Sequence, residues 1–352
     1  MNEIKGKIMS GIRLGPEEGL FLFENDDLFS LGKLANEIAE RKNGKNVYYV
    51  RNRHINPTNI CVNRCKFCAF SRSKGEKGAY ELTIEEILSR LTEGRYREVH
   101  IVGGLHPDWD LEYYVRIISE IKKRFPEIHI KAFTAVEIDH FSRISGMTIR
   151  DVLKKLKDSG LDAMPGGGAE IFAEKIRRQL CPEKISSERW LEIHREAHKL
   201  GIRTNATMLF GHIESYRDRV DHLIRLRALQ DETGGFLAFI PLPYHPVNTE
   251  TGGSYTSGID DLKTIAISRL ILDNFDHIKA YWIMLGEKIA QLSILFGADD
   301  IDGTVIEEKI THSAGAMTAE GLTIEELREI IIKTGKTPVE RDALYRECKG
   351  NS

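Results

Sequence analysis

Short apolar strands alternate with amphipathic helices along most of this sequence, and that alternation restricts the fold more than any other feature. Candidate strands rich in branched and aromatic residues occupy 47–50, 99–102, 128–134, 161–164, 204–210, 236–240 and 280–284. Helical patterns lie between them at 84–91, 112–125, 148–159, 187–200, 216–231 and 262–274. Near-continuous apolar runs suit parallel strands that are covered on both faces. Strand and helix alternate over about 250 residues, which predicts an α/β fold, either a (β/α) barrel or a doubly wound sheet.

Two further observations refine this prediction. No GxGxxG motif follows an early strand, which disfavours a dinucleotide-binding sheet. The segments 83–86 and 323–326 each read Thr-Ile-Glu-Glu, and this pattern predicts a capping box at the start of a helix. Because no linker rich in Pro, Gly or Ser interrupts the chain, we predict one domain over 1–352. It would comprise a helical preface at 1–45, a barrel core at 46–286 and a C-terminal extension at 287–352.

Charge and hydropathy exclude several classes of function. The 352 residues carry a formal net charge of −3, so no basic excess points to nucleic acid and no polybasic run points to a membrane surface. No stretch approaches the roughly 20 apolar residues of a membrane helix. The first residues lack the apolar region of a signal peptide. We therefore expect a soluble, cytoplasmic protein, and the sequence leaves its oligomeric state open.

Five candidate strands end in loops rich in glycine, histidine and carboxylates. These loops begin near Gly103, Ala135, Pro165, Gly211 and Pro241. Such residues at the C-terminal ends of parallel strands are what a barrel active site requires. Ordinary turn chemistry could account for any one of these loops. Because five loops share the pattern, we favour an active site at this end of the sheet.

Three of the five cysteines, Cys61, Cys65 and Cys68, fall within eight residues. Clustered thiols suggest a metal site, since a disulfide framework favours a short secreted chain with an even cysteine count. Three thiolates are one fewer than a closed zinc site or a saturated [4Fe–4S] cluster needs. A cluster on these cysteines would therefore keep one iron open. Cys181 and Cys348 stand apart, and we expect no role for them.

The cysteine segment could instead form a zinc knot, with His54 or a distant histidine as fourth ligand, or place three cysteines in the core as small apolar side chains. The neighbouring residues disfavour both possibilities. Asn63, Arg64 and Lys66 make the segment too polar for a core strand. The segment also follows an early candidate strand, where the first strand–helix loop of a barrel belongs.

The pattern Cys-x3-Cys-x2-Cys, with aromatic Phe67 before the last cysteine, resembles the signature of the radical S-adenosylmethionine (SAM) superfamily. The resemblance implies a full or partial (β/α) barrel, a [4Fe–4S] cluster on the three cysteines, and SAM bound at the open iron. It also implies that Gly103 and Gly104 bind the amino group of SAM and that Phe67 packs on its adenine. Reduction of the cluster by a flavodoxin or a ferredoxin would be expected.

Further segments resemble one subgroup of that superfamily, at 56–59, 67–70, 103–107, 131–138, 164–172, 205–214 and 229–236. The subgroup holds aminofutalosine synthases, cyclic dehypoxanthine futalosine synthases and the components of deazaflavin (FO) synthase, and the segments favour the first. The resemblance implies that SAM is consumed. Its 5′-deoxyadenosyl radical would add to 3-[(1-carboxyvinyl)oxy]benzoate and yield 6-amino-6-deoxyfutalosine, an intermediate of menaquinone biosynthesis.

A substrate with two carboxylates needs cationic or hydrogen-bond-donating partners. His106, His212 and His245 all follow candidate strands and could bind a carboxylate or move a proton. We rank His212 first, because Gly211 and Glu214 flank it, although bracing of a loop is an equal alternative for each histidine. Arg72, near the cysteines, is a candidate carboxylate clamp or else a surface charge.

Two glutamates complete the candidate site. Glu137 and Glu170 could bind the ribose hydroxyls or the amino group of SAM, and helix capping is the alternative for both. The acidic segment 299–304 is a candidate cation site. We expect a solvated turn there instead, because its spacing does not match an EF-hand loop.

Overall fold

The computed structural model describes residues 1–92 and 94–348. Seven strands form one parallel sheet in chain order: β2 (Asn52–Ile55), β3 (Glu98–Ile101), β4 (His129–Ala132), β5 (Ala163–Met164), β6 (Arg203–Phe210), β7 (Phe236–Pro243) and β8 (His277–Ile278). A second parallel sheet places β1 (Asn46–Val50) between β9 (Asp300–Gly303) and β10 (Thr337–Glu340). These parallel strands, connected by helices, confirm the predicted α/β class.

Helices cover the sheets and connect their strands. They are α1 (Asn2–Met9), α2 (Pro16–Glu24), α3 (Leu28–Asn43), α4 (Ile84–Thr92), α5 (Leu111–Arg124), α6 (Ala135–Ser145), α7 (Ile149–Asp158), α8 (Glu174–Leu180), α9 (Ser187–Lys199), α10 (Tyr216–Thr233), α11 (Gly258–Ile271), α12 (Trp282–Leu285), α13 (Glu287–Ile294), α14 (Ile310–Ser313) and α15 (Ile324–Ile332). In the described part of the chain, no helix has both the length and the apolar character needed to cross a membrane.

The helices form where the sequence provides both a start signal and an apolar stripe. Thr83 and Glu86 bond each other's backbone N–H groups at the start of α4, and Thr323 and Glu326 do the same at α15. Both predicted capping boxes are confirmed. Helix α7 also combines these two features. Thr148 caps its start, and its apolar residues recur at helical spacing and are buried.

The two sheets meet at single bridges between neighbouring strands. Lys279, just after β8, pairs with Asp300 of β9, and Arg53 of β2 pairs with Ile306. Strand β9 therefore lies between the last and the first strand of the seven-stranded sheet, and it helps to complete a barrel. Residues after 287 thus contribute to the barrel wall, although the division into preface, core and extension stays a prediction. Of the extension, 349–352 lie outside the described residues.

Two strand predictions require correction. The apolar run at 280–284 does not form the predicted strand, because its second half belongs to α12 and the strand β8 lies just before it. Apolar runs of this length do not distinguish strands from buried helices. Strand β2 escaped prediction, because its residues Asn52, Arg53 and His54 are polar although all are buried.

The acidic segment 299–304 is not a solvated turn, as the sequence suggested, but contains the buried strand β9. Its carboxylates tolerate burial because each faces a buried cation. Asp299 contacts Arg269, Asp300 accepts a 2.6 Å hydrogen bond from Arg341 Nε, and Asp302 contacts Lys279. These ion pairs satisfy the acidic residues.

Candidate active site

A cavity of about 340 Å³ opens at the C-terminal ends of the strands. This volume lies within the range of about 300–1,000 Å³ that is usual for small-molecule sites. One wall carries the cysteine segment and the loops after β3, β4 and β5, while the opposite wall is largely apolar. The apolar wall is lined by Ile240, Leu242, Tyr244, Tyr281, Met284, Ile310 and Ala314. The position of the cavity agrees with the prediction made from the strand ends.

The cysteine segment follows β2, and backbone hydrogen bonds fix its path. Cys61 N–H donates to Arg72 O (3.0 Å), and Arg72 N–H donates to Asn59 O (2.8 Å), so the segment folds back on itself. Cys68 N–H donates to Cys65 O (2.9 Å), which closes a tight turn between the last two thiols. All three cysteines line the cavity.

The thiols are free, and burial affects their chemistry. Cys65 is buried, Cys61 and Cys68 are half-buried, and no disulfide joins them. Burial raises the pKa of Cys65 to about 12, so the bare thiol stays protonated and requires a metal cation to become a thiolate. Among the described residues, no three His, Cys, Asp or Glu side chains are spaced to hold a single ion. A four-iron cluster stands between its thiolates and keeps them farther apart, so the three cysteines fit a cluster better than they fit zinc.

Gly104 allows the loop after β3 to lie directly against the cysteine segment. Its N–H donates to Thr58 O (2.9 Å). A Cβ atom at position 104 would overlap the Ile60 carbonyl oxygen and lie 2.6 Å from the Ile60 carbonyl carbon. Gly103 N–H donates to Glu137 Oε1 (3.2 Å). Because an ammonium group only donates hydrogen bonds, these glycines can bind one only through their carbonyl oxygens.

The two predicted glutamates both line the cavity, but each already has protein partners. Glu137 closes the capping box of α6, where its Oε2 accepts hydrogen bonds from the N–H (2.7 Å) and hydroxyl (2.8 Å) of Thr134. Burial raises the pKa of Glu137 to about 7. Glu170 bonds Lys184, whose Nζ lies 4.9 Å from the ring centroid of Phe67. Lys184, which no sequence motif marked, thus links Phe67 to Glu170.

Five polar residues line the part of the cavity nearest the sheet, and all except Lys279 lie within strands. We call them the polar floor: His54, His100, Lys131, Lys279 and Asp302. The rings of His54 and His100 stack with centroids 4.5 Å apart. Lys131 Nζ donates to Glu98 Oε2 at 2.7 Å, and Lys279 contacts Asp302. Asp302 adopts a left-handed backbone with φ 70°, a conformation that Asp tolerates better than most residues do. Sequence patterns did not reveal the floor, because its members come from separate strands.

Several buried polar atoms on the cavity lining have no hydrogen-bond partner in the described structure. They include Asn56 Oδ1, Asn205 Oδ1, His245 Nδ1 and His54 Nε2. His245 Nε2 donates to Met284 O (2.9 Å), so its Nδ1 carries a lone pair and accepts. A buried polar atom without a partner costs free energy. The two amide oxygens and His245 Nδ1 therefore indicate a ligand that brings hydrogen-bond donors such as hydroxyl and amino groups, whereas His54 Nε2, which lies 4.0 Å from Asp302 Oδ2, can donate.

Three of the predicted site residues do not line the cavity. His106 Nε2 donates to Glu81 Oε1 (2.8 Å), and its ring stacks on Trp109. His212 Nε2 donates to Leu209 O (3.1 Å), while its Nδ1 accepts from the next backbone N–H at 2.7 Å. Arg72 donates to two carbonyl groups of its own loop. All three brace loops in the structure and lie outside the cavity lining, which favours a structural role for each of them.

We expect His212→Gln to retain turnover near that of the wild type. The side chain is buried and supports the loop after β6, so the cost should be about 1 kcal/mol of stability from the lost hydrogen bond. Product formation per cluster and thermal unfolding measure the two effects separately. A large loss of turnover in a fully loaded, stable variant would return His212 to the site.

Comparison with known proteins decides the family. A model of the radical SAM superfamily matches residues 55–226, and a model of the CofH/MqnC C-terminal region matches residues 233–350. Aminodeoxyfutalosine synthase from Thermus thermophilus is 50% identical, with 98% of this chain and 95% of that protein covered. The chain belongs to the radical SAM superfamily. It is therefore a radical SAM enzyme with a transferase-type reaction, and its family implies a [4Fe–4S] cluster and SAM.

Other relatives of this radical SAM enzyme carry two different names. Aminodeoxyfutalosine synthase from Streptomyces coelicolor is 47% identical, with 99% of this chain and 95% of that protein covered. The 5-amino-6-(D-ribitylamino)uracil–L-tyrosine 4-hydroxyphenyl transferase from Methanococcoides burtonii is 40% identical, with 99% of each chain covered. The identity is higher for the two synthases.

Two solved structures share the fold of this enzyme. Methylornithine synthase (PylB) superposes with a TM-score of 0.77 at 18% identity, covering 95% of this chain and 97% of the other. The [FeFe]-hydrogenase maturase HydG superposes with a TM-score of 0.78 at 20% identity, covering 98% and 77%. These likenesses confirm the radical SAM type of barrel.

Proposed function

We propose that this enzyme is an aminodeoxyfutalosine synthase, which joins the 5′-deoxyadenosyl part of SAM to 3-[(1-carboxyvinyl)oxy]benzoate. The product would be 6-amino-6-deoxyfutalosine, formed with loss of one carboxylate for menaquinone biosynthesis. The observation that carries this proposal is the 50% identity to a synthase of that name over nearly the full length of both chains. An electron donor such as a flavodoxin or a ferredoxin would reduce the enzyme.

Cys61, Cys65 and Cys68 would hold the cluster, since they are the three free thiols on one wall of the cavity. A [4Fe–4S] cluster bound there would supply the electron and the open iron site that cleave SAM. The remaining steps depend on positions that the protein imposes. Because a carbon radical reacts indiscriminately, the cavity must also exclude water.

SAM would lie along the wall that carries the cysteines. Its amino group can donate to the carbonyl oxygens of Gly103 and Gly104, while Glu137 lies directly behind them and bonds the Gly103 N–H. The unpartnered oxygens of Asn56 and Asn205 suit the hydroxyl and amino groups of the nucleoside. Phe67 offers an aromatic face to adenine, and Glu170 is a further acceptor for a ribose hydroxyl.

The aromatic substrate would then occupy the opposite, apolar wall. Ile240, Leu242 and Met284 provide a dry surface against its ring. This wall also keeps solvent from the radical, and it places the vinyl group between the ring and the cysteine wall.

Product analysis by mass spectrometry tests the proposal. The reconstituted enzyme is given SAM, dithionite and 3-[(1-carboxyvinyl)oxy]benzoate without oxygen. We expect a product that contains both the adenosyl and the benzoate parts. Free 5′-deoxyadenosine without this adduct would exclude the proposed substrate and would make a cyclic dehypoxanthine futalosine synthase the next candidate.

A second candidate function has specific support from the relative in Methanococcoides burtonii, which is 40% identical over 99% of both chains. It would transfer the 4-hydroxyphenyl group of tyrosine to 5-amino-6-(D-ribitylamino)uracil, as in deazaflavin (FO) synthase. The same assay with tyrosine and the uracil in place of the benzoate distinguishes the two. We expect no coupled product from that pair.

A further inference from the structure

The polar floor has more hydrogen-bonding capacity than the protein itself uses. His54 Nε2 is buried without a partner, and its nearest carboxylate oxygen is Asp302 Oδ2 at 4.0 Å. His100 stacks on His54, but the described residues offer its ring nitrogens no hydrogen bond. Lys131 donates to Glu98 alone, although an ammonium group has three N–H donors. Several donors on adjacent strands β2, β3 and β4 are therefore free toward the cavity.

These donors converge because their strands are in register. His54 pairs with His100, and His100 pairs with Lys131, in the parallel ladder from β2 to β4. Neighbouring residues in register point to the same face of a sheet. The three side chains consequently form a row on the inner face, and one ligand group can contact all of them.

The charges around the floor are balanced, so no unpaired carboxylate faces a ligand there. Lys131 neutralises Glu98, Lys279 neutralises Asp302, and Asp300 bonds Arg341 instead. Glu308, a further acid on the cavity lining, accepts hydrogen bonds from the N–H groups of Ile310 and Thr311 and from His312. Burial lowers the pKa of His54 and His100, so both rings are neutral donors.

A ligand group that satisfies this row must be rich in acceptors. A carboxylate offers two oxygens and about four lone-pair sites, and buried hydrogen bonds to it are stronger than those to neutral acceptors. The proposed substrate has one carboxylate on the reacting vinyl group and another on the ring. Since the vinyl group must face the cysteine wall, the ring carboxylate is the one that reaches the strands.

We propose that the polar floor is the binding site for the ring carboxylate of the substrate, with His54, His100 and Lys131 donating to it. This inference rests on the proposed function and adds the residues that would select an aromatic acid. It assigns a binding role to two histidines and a lysine. The radical would add at the opposite, vinyl end of the substrate.

Calorimetric binding to the SAM-loaded holoenzyme tests the inference with two ligands and one variant. The ligands are 3-[(1-carboxyvinyl)oxy]benzoate and 2-phenoxyprop-2-enoate, which lacks the ring carboxylate. The variant is His100→Phe, which keeps a ring to stack on His54. We expect loss of the carboxylate to weaken wild-type binding about 10- to 100-fold, as expected for hydrogen bonds to a charged group. In His100→Phe, removal of the ring carboxylate should weaken binding much less. The variant already lacks the interaction between His100 and that carboxylate, so it cannot be lost a second time. An equal cost in both proteins would overturn the inference.

Control variants separate this effect from misfolding. His129→Gln, at the first residue of β4 and away from the cavity lining, should bind both ligands as the wild type does. His54→Gln is the second test variant if His100→Phe does not fold, as judged by thermal unfolding and cluster absorbance. If neither folds, the wild type decides, because equal binding of the two ligands overturns the inference without any variant. Adduct formation by the wild type, recorded first, is the independent test of the proposed function.

Discussion

Cys65→Ala is expected to abolish SAM cleavage and product formation. The substitution leaves two thiolates on the cavity wall, and two cannot hold a cubane whose fourth iron must remain open. Cys65 is also the most buried of the three cysteines, at 8% exposed, so no water molecule or external thiol can readily replace it. The loss of one sulfur atom should reduce stability by about 1 kcal/mol, and the protein should remain folded.

The measurement combines iron content, visible absorbance and product formation after anaerobic reconstitution. Cys348→Ala is the matched control, because Cys348 is a half-buried free thiol away from the cavity. It should retain the cluster and full turnover. Wild-type iron content in Cys65→Ala would show that another residue completes the site, and it would contradict our assignment.

Gly104→Ala should have the second large effect, and its cause is steric. The new methyl group would overlap the backbone carbonyl of Ile60, and a backbone in a bonded loop cannot move aside as a flexible side chain can. Overpacking costs about 1–3 kcal/mol and occasionally more, and we expect the upper end here. Because Ile60 directly precedes Cys61, any shift that relieves the overlap also displaces a cluster ligand. We therefore expect a lower unfolding temperature together with weaker retention of iron.

Two other glycines provide controls of graded severity. A Cβ atom at Gly103 would approach Thr58 O no closer than 3.2 Å, so Gly103→Ala should be milder. Gly6 in α1 has nothing within 4 Å of its Cβ position, and Gly6→Ala should stabilise the protein by about 0.5–1 kcal/mol. If all three variants unfold at the same temperature, the contact between Gly104 and Ile60 does not limit stability.

The fold was predictable where local signals agree with burial. The apolar runs at 99–102 and 204–210 are strands, and the Thr-Ile-Glu-Glu segments are helix starts, because these depend on neighbouring residues. Strand β2 carried no such signal, since its buried residues Asn52, Arg53 and His54 are polar. The acidic strand β9 was wrongly predicted as a solvated turn, because Lys279 and Arg341, which balance its charges, are distant in sequence.

The candidate site likewise contains residues that the sequence could identify and residues that it could not. The three cysteines occur in one compact motif, so their spacing predicted a metal site, and the resemblance that this motif carries then pointed to the glycines after β3. The polar floor joins residues of β2, β3, β4 and β9 with Lys279, just after β8, and only the folded barrel brings them together. His212 was a favoured site residue because it follows a strand, but sequence position does not show that its ring turns back to bond Leu209 O.

Strand β1 has a consequence for the order in which this protein can be assembled. Its neighbours β9 and β10 come from the other end of the chain, and the N–H of Asn52, just beyond β1, bonds Thr304 Oγ1 across 252 residues of sequence. Contacts between such distant segments close late and slow folding. During synthesis, β1 has no partner strand until residues 300–340 have left the ribosome. The cavity therefore takes its final shape only when residues 300–340 can pair with β1, and insertion of the cluster would follow that step.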